Sequence, residues 1–459
     1  MTSRVWPHSE IEQALRISLG RLLFQPWFDR AALAALGNWV FPASRLWAAA
    51  ELAGNDVDRF VALTPALQDL HLRRGLLGRS LAGLTRLRER AEAADRRWED
   101  AFFGGRATQA ALEKAEAARL RDGRLYLGSR IRFMALARRG RVPSVDWAIP
   151  TEAEAAIRLG KALKSPRTIF ASPNPLPAIV ESRRLRKRSR EEYVLRFDLP
   201  GSVGRCLARV FEPAGIVDPP TLIHCHGFGM EPEHINNAFD EFMPLVRAGI
   251  RLVRVTAPWH GSRRKRGTWS GEPFLAGVPV DTVAALACAV RELSVLTQWA
   301  RATSRGRVAL SGVSMGALTT QLAAVHMRDW PVSRRADALC LVGTTDRLDR
   351  IAFESTLTCA LGLDEALRSR GWDADRLRHF ASLTNPEGKP AIDRRSIFIV
   401  LGTADDVTPF DGGTALAERW RIPPENQFHR PHGHFSLSQG LIPDNAPLLR
   451  LAEHLKRGR

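Results

Sequence analysis

The sequence predicts an α/β protein in which a mostly parallel sheet, covered by helices on both faces, follows a helical N-terminal domain. From residue 192 onward, short apolar runs alternate with longer stretches of helical pattern. Such alternation favours parallel strands joined by helical crossovers. Residues 1–180, in contrast, are dense in Leu, Ala, Arg and Glu and lack the two-residue alternation of half-buried strands.

Residues 1–180 are expected to form the helical domain. Its helices carry leucines and tryptophans, among them Trp27, Trp39 and Trp47, which need apolar surface to bury against. We therefore expect this domain to pack as a cap on the rest of the chain. Several prolines near its end and then the basic run 183–190 mark an irregular connector, and residues 181–191 are interpreted as a solvated basic linker.

The α/β domain is expected over residues 192–459 and begins with two antiparallel strands, over 193–197 and 206–211. The next strands are predicted to be parallel and buried on both faces, because their mostly apolar runs alternate with helical stretches. They are predicted over 221–225, 251–255, 307–311, 338–342 and 396–401. A long helix is predicted over 280–302 and a last short strand over 426–429.

The most informative motif is Gly312-Val313-Ser314-Met315-Gly316, between a predicted strand and the helical stretch 317–324. In this strand–turn–helix context, G-x-S-x-G forms a strained elbow that presents the serine hydroxyl above the sheet. Both flanking positions need glycine because a side chain there would collide with the strand or the helix. Ser314 is therefore the candidate nucleophile, which needs an adjacent base to become reactive at neutral pH.

Partners for Ser314 follow it along the chain, the acid first and the histidine last. Asp405 lies in the loop after the strand predicted over 396–401, and His434 comes after the final short strand. This is the order serine, acid, histidine, which differs from the orders in chymotrypsin and subtilisin. Asp406 and Asp346 are alternative acids, and His432 is an alternative base.

These motifs resemble those of the α/β-hydrolase superfamily, specifically its esterase-like and dienelactone-hydrolase-like branches. The resemblance covers roughly residues 190–459. It rests on His226-Gly227-Phe228-Gly229, Gly312-x-Ser314-x-Gly316, Gly402-x-x-Asp405-x-Val407-x-Pro409, Gly433-His434-Phe435 and the loop 258–263. It implies an α/β-hydrolase fold, and a lid over the nucleophile at 344–395, where the connection is too long for an ordinary loop. The alternative is an enlarged packing helix without gating.

The resemblance also implies a chemistry. The N–H groups of Phe228 and Met315 would form the oxyanion hole, in a loop shaped by His226, Gly227 and Gly229. The serine, histidine and aspartate would then hydrolyse a carboxylic ester through an acyl-enzyme. Acyl transfer, or C–C or amide hydrolysis, by the same triad is one alternative. A non-catalytic binding protein of the same fold is another.

Composition and charge indicate which kinds of binding partner to expect. The 459 residues carry a net charge of +18, but neither basic run, 183–190 or 263–266, lies in a nucleic-acid-binding motif. We expect a small-molecule acyl substrate and no nucleic acid, with run 263–266 a candidate for steering an anionic substrate. Because the uncharged stretch 31–44 is too short to span a bilayer, peripheral attachment is the only membrane alternative.

No cofactor or metal is expected, since the sequence has no dinucleotide fingerprint, no P-loop and no metal-ligand spacing. The cysteines are odd in number and scattered, so all are interpreted as reduced core residues of a cytoplasmic protein. They are Cys206, Cys225, Cys288, Cys340 and Cys359.

Overall fold

The computed structural model describes residues 26–68, 73–139, 142–231, 233–234 and 241–457. The first 25 residues of the predicted helical domain lie outside the described residues. The described part of that domain is helical, as expected. Its α-helices are α1 (Pro26–Ala35), α2 (Phe41–Ala53), α3 (Val57–Ala62), α4 (Arg74–Phe103), α5 (Gln109–Gly128), α6 (Met134–Arg139), α7 (Glu152–Lys164) and α8 (Pro166–Ile169).

Local side chains fix where several of these helices begin. The Thr108 hydroxyl accepts the Ala111 N–H at the start of α5, and Thr151 and Glu154 form a reciprocal capping box at the start of α7. The domain has its own apolar cluster, in which Trp47 is fully buried. Trp27 and Trp39, which were expected to need burial, are 53% and 38% exposed.

The strands form one mixed sheet. They are β1 (Val180–Glu181), β2 (Leu185–Arg186), β3 (Arg190–Phe197), β4 (Cys206–Pro213), β5 (Thr221–Cys225), β6 (Arg251–Val255), β7 (Val308–Val313), β8 (Ala338–Val342), β9 (Ile397–Gly402) and β10 (Gln427–Arg430). Their order is β1-β3-β4-β6-β5-β7-β8-β9-β10, with β2 beside β3. Strands β5 to β10 pair with one another in parallel. The pairs that involve β1 to β4 are antiparallel.

Both faces of the sheet are covered, so the predicted α/β fold with a doubly covered, mostly parallel sheet is confirmed. Neighbouring residues of one strand belong to different apolar clusters: Leu222 to one and Ile223 to the other. The helices of this part are α9 (Met243–Arg247), α10 (Glu272–Ala276), α11 (Val280–Thr303), α12 (Met315–His326), α13 (Leu348–Glu354), α14 (Thr356–Leu361), α15 (Leu363–Ser369), α16 (Ala374–Arg378), α17 (Phe410–Trp420), α18 (His434–Gln439) and α19 (Ala446–Lys456).

The helical domain packs directly on the α/β part. Phe41 of α2 belongs to the main core cluster, and its ring centroid lies 4.6 Å from that of Trp269. Arg45 forms a buried ion pair with Glu272 at 2.9 Å. The Ala148 N–H donates to the Ala276 carbonyl. Apolar packing and buried polar contacts therefore both hold the two parts together.

The segment 181–191, expected to be a solvated linker, takes part in the sheet. Short strands β1 and β2 both pair with β3, and the Arg183 N–H donates to the Phe102 carbonyl. The Arg184 guanidinium stacks 4.2 Å from the Tyr193 ring centroid. Arginine stems and planar guanidinium groups cover apolar and aromatic surface well, which is how a basic run can be folded against a sheet.

The second basic run is also tied into the structure. Arg263 is buried and pairs with Glu292 at 2.6 Å, and Arg264 pairs with Glu51 at 2.7 Å. These two charges support packing, so the expectation that they steer an anionic substrate has no support here.

Among the cysteines, four are buried as expected, but Cys359 on α14 is exposed, so that expectation was wrong for it.

Candidate active site

Ser314 occupies a strained turn between β7 and α12. Its backbone has φ 54° and ψ −120°, which few residues other than glycine adopt. A Cβ at position 312 would lie 2.1 Å from the Gly316 carbonyl oxygen, and one at position 316 would lie 2.1 Å from the Cys225 carbonyl oxygen. The glycines of the motif are therefore required by close backbone approach, as the elbow geometry predicts.

His434, the first residue of α18, lies against Ser314. Its Nε2 atom is 2.8 Å from Ser314 Oγ, and its Nδ1 atom is 2.9 Å from Asp405 Oδ2. The three side chains thus contact one another in series, although they lie far apart in the sequence. The histidine is placed to accept the serine proton while the carboxylate holds its other nitrogen.

Asp405 is fixed in the loop after β9. Its Oδ1 atom accepts the N–H groups of Val407 and Thr408, each at 2.9 Å. The Thr408 hydroxyl lies 2.8 Å from Asp405 Oδ2. Burial alone would raise the pKa of Asp405, but the charge and hydrogen bond of His434 and the contacts with Thr408 outweigh it, so the pKa is lowered. The carboxylate is therefore ionised at neutral pH.

The alternative acids and base are engaged elsewhere. Asp406 accepts a hydrogen bond from the Thr356 hydroxyl at 2.9 Å, and Asp346 pairs with Arg419 at 2.9 Å. The His432 ring lies near Gly440, where a Cβ would be 2.8 Å from its Nε2 atom. The structure brings together Ser314, Asp405 and His434 rather than any set with these alternatives.

The expected oxyanion loop lies beside the serine. A Cβ on Gly227 would be 3.6 Å from Ser314 Cβ. Met315 is the first residue of α12, so its N–H has no carbonyl from a preceding helical turn to bond. The Phe228 ring packs against Trp269 and Phe274, with ring centroids 5.6 Å and 6.0 Å away.

Two buried histidines brace this loop. His226 Nε2 accepts the Ala257 N–H at 3.1 Å and His260 Nε2 accepts the Gly229 N–H at 3.2 Å. Their Nδ1 atoms lie 2.7 Å and 2.8 Å from the carbonyl oxygens of Gly227 and Pro258. Both rings are therefore neutral with the proton on Nδ1, because one nitrogen accepts and the other donates. Burial lowers the pKa of His226 to about 4 and that of His260 to about 3.

An apolar cavity opens at Ser314. One wall comes from the segment predicted to be a lid, which forms the four short helices α13 to α16. The opposite side is formed around α10, by Phe274 and Leu275. The lid side chains that line the cavity are Leu348, Ile351, Ala352, Leu357, Leu363 and Phe380.

A smaller cleft also reaches His434. It is lined by three residues of α1 and by residues that follow β9 and β10: Asp29, Arg30, Leu33, Ala404, Asp406, Val407, His434 and Phe435. The sequence analysis did not place α1 at this site and did not identify Thr408 as a partner of the acid. A hydroxyl three residues after Asp405 was a local signal for the latter.

Residues 222–440 match the model of the family described as "Alpha/beta hydrolase family". This match assigns the α/β part of the chain to the α/β-hydrolase superfamily. This assignment supports hydrolase chemistry in general. A search of curated proteins found no match to this α/β hydrolase.

Solved structures of similar fold include esterases and a peptidase. A Thermoanaerobacterium acetyl xylan esterase is 15% identical with a TM-score of 0.42, over 65% of this chain and 96% of that one. A Pyrobaculum calidifontis esterase is 15% identical with a TM-score of 0.39, over 67% and 90%. Pyrococcus horikoshii acylaminoacyl peptidase is 11% identical with a TM-score of 0.42, and this chain spans only 43% of its length.

The described ranges of this α/β hydrolase hold no cluster of three or more His, Cys, Asp or Glu side chains suited to a metal ion. Within those same ranges, none of the helices has the length and apolar character needed to cross a bilayer.

Proposed function

We propose that this α/β hydrolase is a serine esterase that cleaves carboxylic esters with an apolar acyl group through an acyl-enzyme. The observation that carries the proposal is the continuous series of contacts from Ser314 through His434 to Asp405. A serine hydroxyl, an imidazole and a buried carboxylate in this arrangement are the groups that serine hydrolases use for acyl transfer to serine.

In the proposed reaction, His434 Nε2 takes the proton of Ser314 as its oxygen attacks the ester carbonyl. The N–H groups of Phe228 and Met315 stabilise the oxyanion, where loss of one such donor typically costs about 3–4 kcal/mol. His434 then protonates the leaving alcohol. Water, activated by the same histidine, releases the acid and restores the serine.

The apolar cavity supports the choice of acyl group. The lining side chains are mainly aliphatic and aromatic. The carboxylate of Asp349, which also lies there, is occupied by the amide of Asn385 at 2.8 Å and by Arg347. We therefore expect medium-chain acyl esters to be better substrates than acetyl esters.

The test is labelling with a fluorophosphonate and turnover of a p-nitrophenyl ester series from acetate to decanoate. Wild type should label and hydrolyse the esters, and Ser314→Ala should lose both while retaining its circular dichroism spectrum. An inert wild type would favour a binding protein of the same fold, and wild-type turnover by Ser314→Ala would remove the serine from the mechanism. Rapid labelling with product only when an acceptor alcohol or amine is added would favour acyl transfer.

A further inference from the structure

One side chain from the helical domain reaches the start of α18, the helix that carries His434. Asp29 of α1 accepts the N–H groups of Phe435 and Ser436 through Oδ1, the second at 3.0 Å. The Ser436 hydroxyl donates to Asp29 Oδ2 at 2.5 Å. Asp29 and Ser436 are 407 residues apart in the sequence, and Asp29 is only 8% exposed.

This contact replaces a helix cap that the local sequence lacks. The first N–H groups of any helix need acceptors from outside it. The residue at the N-cap position of α18 is Gly433, which has no side chain to supply one. Asp29 supplies the acceptor instead, as an N-cap aspartate would.

The space at Gly433 is shaped by the same carboxylate. A Cβ at this position would lie 2.6 Å from Asp29 Cγ. Glycine immediately before His434 is therefore required by a residue of the helical domain. The six-residue helix α18 is too short to hold its own orientation by internal hydrogen bonds alone.

We propose that Asp29 is a positioning residue, which fixes α18 so that His434 Nε2 stays within hydrogen-bonding distance of Ser314. This role rests on the proposed function. It makes the helical domain part of the catalytic apparatus, because the hydrolase domain alone contains the three reacting side chains but lacks this support for one of them.

The charge of Asp29 acts on the same histidine. Burial lowers the pKa of His434, but the charge and hydrogen bond of Asp405 and then the charges of Asp29 and Asp406 outweigh it, so the pKa is raised. Arg30 also lines the cleft beside His434. Removing the Asp29 charge should therefore lower the pKa of His434 and move the acidic limb of activity to lower pH.

Two substitutions separate position from charge. Asp29→Asn keeps an oxygen acceptor for the N–H groups and removes the charge, whereas Asp29→Ala removes both. Asp56→Ala is the matched control, since Asp56 caps α3 of the same domain by accepting the Arg59 N–H at 3.0 Å. The measurements are kcat, KM, amide hydrogen exchange at residues 435–436, and titration of His434 by nitrogen-15 NMR.

We expect Asp29→Ala to lower kcat by roughly 10- to 100-fold with KM little changed, since small misplacement of a reacting group has effects of this size. Exchange at residues 435–436 should accelerate. Asp29→Asn should keep most of that protection and shift the His434 titration to lower pH. Asp56→Ala should match wild type in all four measurements.

Wild-type kcat and unchanged exchange in Asp29→Ala would overturn the proposal. If Asp29→Ala does not fold, Asp29→Asn decides it: an unshifted His434 titration and activity profile would exclude the role. If wild type is inert to phosphonates and esters, the esterase proposal fails by itself. Hydrogen exchange and the titration then still show whether Asp29 holds α18 and His434.

Discussion

Three histidines of the site differ in their electrostatic surroundings. Burial keeps His226 and His260 neutral, so His226 can accept the Ala257 N–H and His260 can accept the Gly229 N–H. His434 is also buried, but the charge of Asp405 more than compensates and raises its pKa. One ring is therefore suited to cycle between neutral and charged forms, while the other two serve as fixed acceptors.

At the residue scale, we predict that Asp405→Asn severely impairs ester hydrolysis. An amide in place of the carboxylate can stabilise the wrong tautomer of His434, an effect worth about four orders of magnitude in a comparable triad. Asp406→Asn and Asp346→Asn should retain most activity, because these carboxylates contact Thr356 and Arg419. Kinetics of all three variants, with folding checked by circular dichroism, are the measurement. If only Asp406→Asn or only Asp346→Asn severely loses activity, that residue and not Asp405 is the triad acid.

At the element scale, the sequence was most informative for the parallel strands of the α/β part. The bounds of β5, β6 and β8 match those predicted, because their mostly apolar runs end where the chain leaves the core. Strand β7 begins one residue later than predicted and ends two residues later, whereas β9 begins and ends one residue later. Their ends extend into the glycines of the motif loops, which carry no hydropathy signal.

Contacts between distant elements could not be predicted in the same way. The elbow and its partners have local motifs, so Ser314, Asp405 and His434 could be named from sequence. Asp29 has no such motif: its acceptor role depends on α1 meeting α18 across 407 residues. The pairing of 181–191 with the sheet was missed for a related reason, since charged side chains conceal strands whose backbone is paired.

Helices α13 to α16, from the segment predicted to be a lid, are expected to set acyl-chain preference, and Ala352 on α13 tests this. Ala352 lines the cavity and is 5% exposed. Ala352→Phe should fill part of the cavity and lower kcat/KM for decanoate relative to acetate by about tenfold or more, the discrimination expected for lost apolar contact in a pocket. Glu354→Gln, on the exposed side of the same helix, is the control. An unchanged ratio in Ala352→Phe would show that the acyl chain binds elsewhere.

At the scale of the whole molecule, a buried carboxylate joins the two parts. Glu51 of α2 receives the Arg264 guanidinium at 2.7 Å and 2.8 Å, the Gly267 N–H at 2.8 Å and the Tyr126 hydroxyl at 2.6 Å. Burial raises the pKa of Glu51, but these contacts outweigh it, led by the hydrogen bond of Arg264, and lower the pKa from 4.5 to about 2. The helical domain thus adds charge pairing to its apolar contacts.

This linkage predicts a defined sensitivity to acid. A lowered folded-state pKa means that ionised Glu51 stabilises the protein fully above pH 4.5 and loses this contribution as the pH falls towards about 2. The contribution is of order 3 kcal/mol, from the size of the shift. Glu51→Gln should lower the melting temperature at pH 7, and the difference from wild type should shrink below pH 4.

Glu453→Gln serves as the control for Glu51→Gln, because the side chains of Glu453 and of its partner Arg457 are 59% and 69% exposed and their ion pair is on the surface. Thermal unfolding of the three proteins between pH 3 and pH 7 is the measurement. If Glu51→Gln tracks wild type at every pH, the junction does not depend on this charge.

The contact between Asp29 and Ser436 also has a consequence for the order of events during synthesis. Ribosomes add about 5–20 residues per second, so roughly 20–80 s separate the emergence of α1 from that of α18. Throughout that interval α18, whose first N–H groups Asp29 will bind, has not yet been synthesised. During this time Asp29 is without its partner residues and is accessible to chaperones and proteases. The contact between α1 and α18 forms only after α18 has left the exit tunnel.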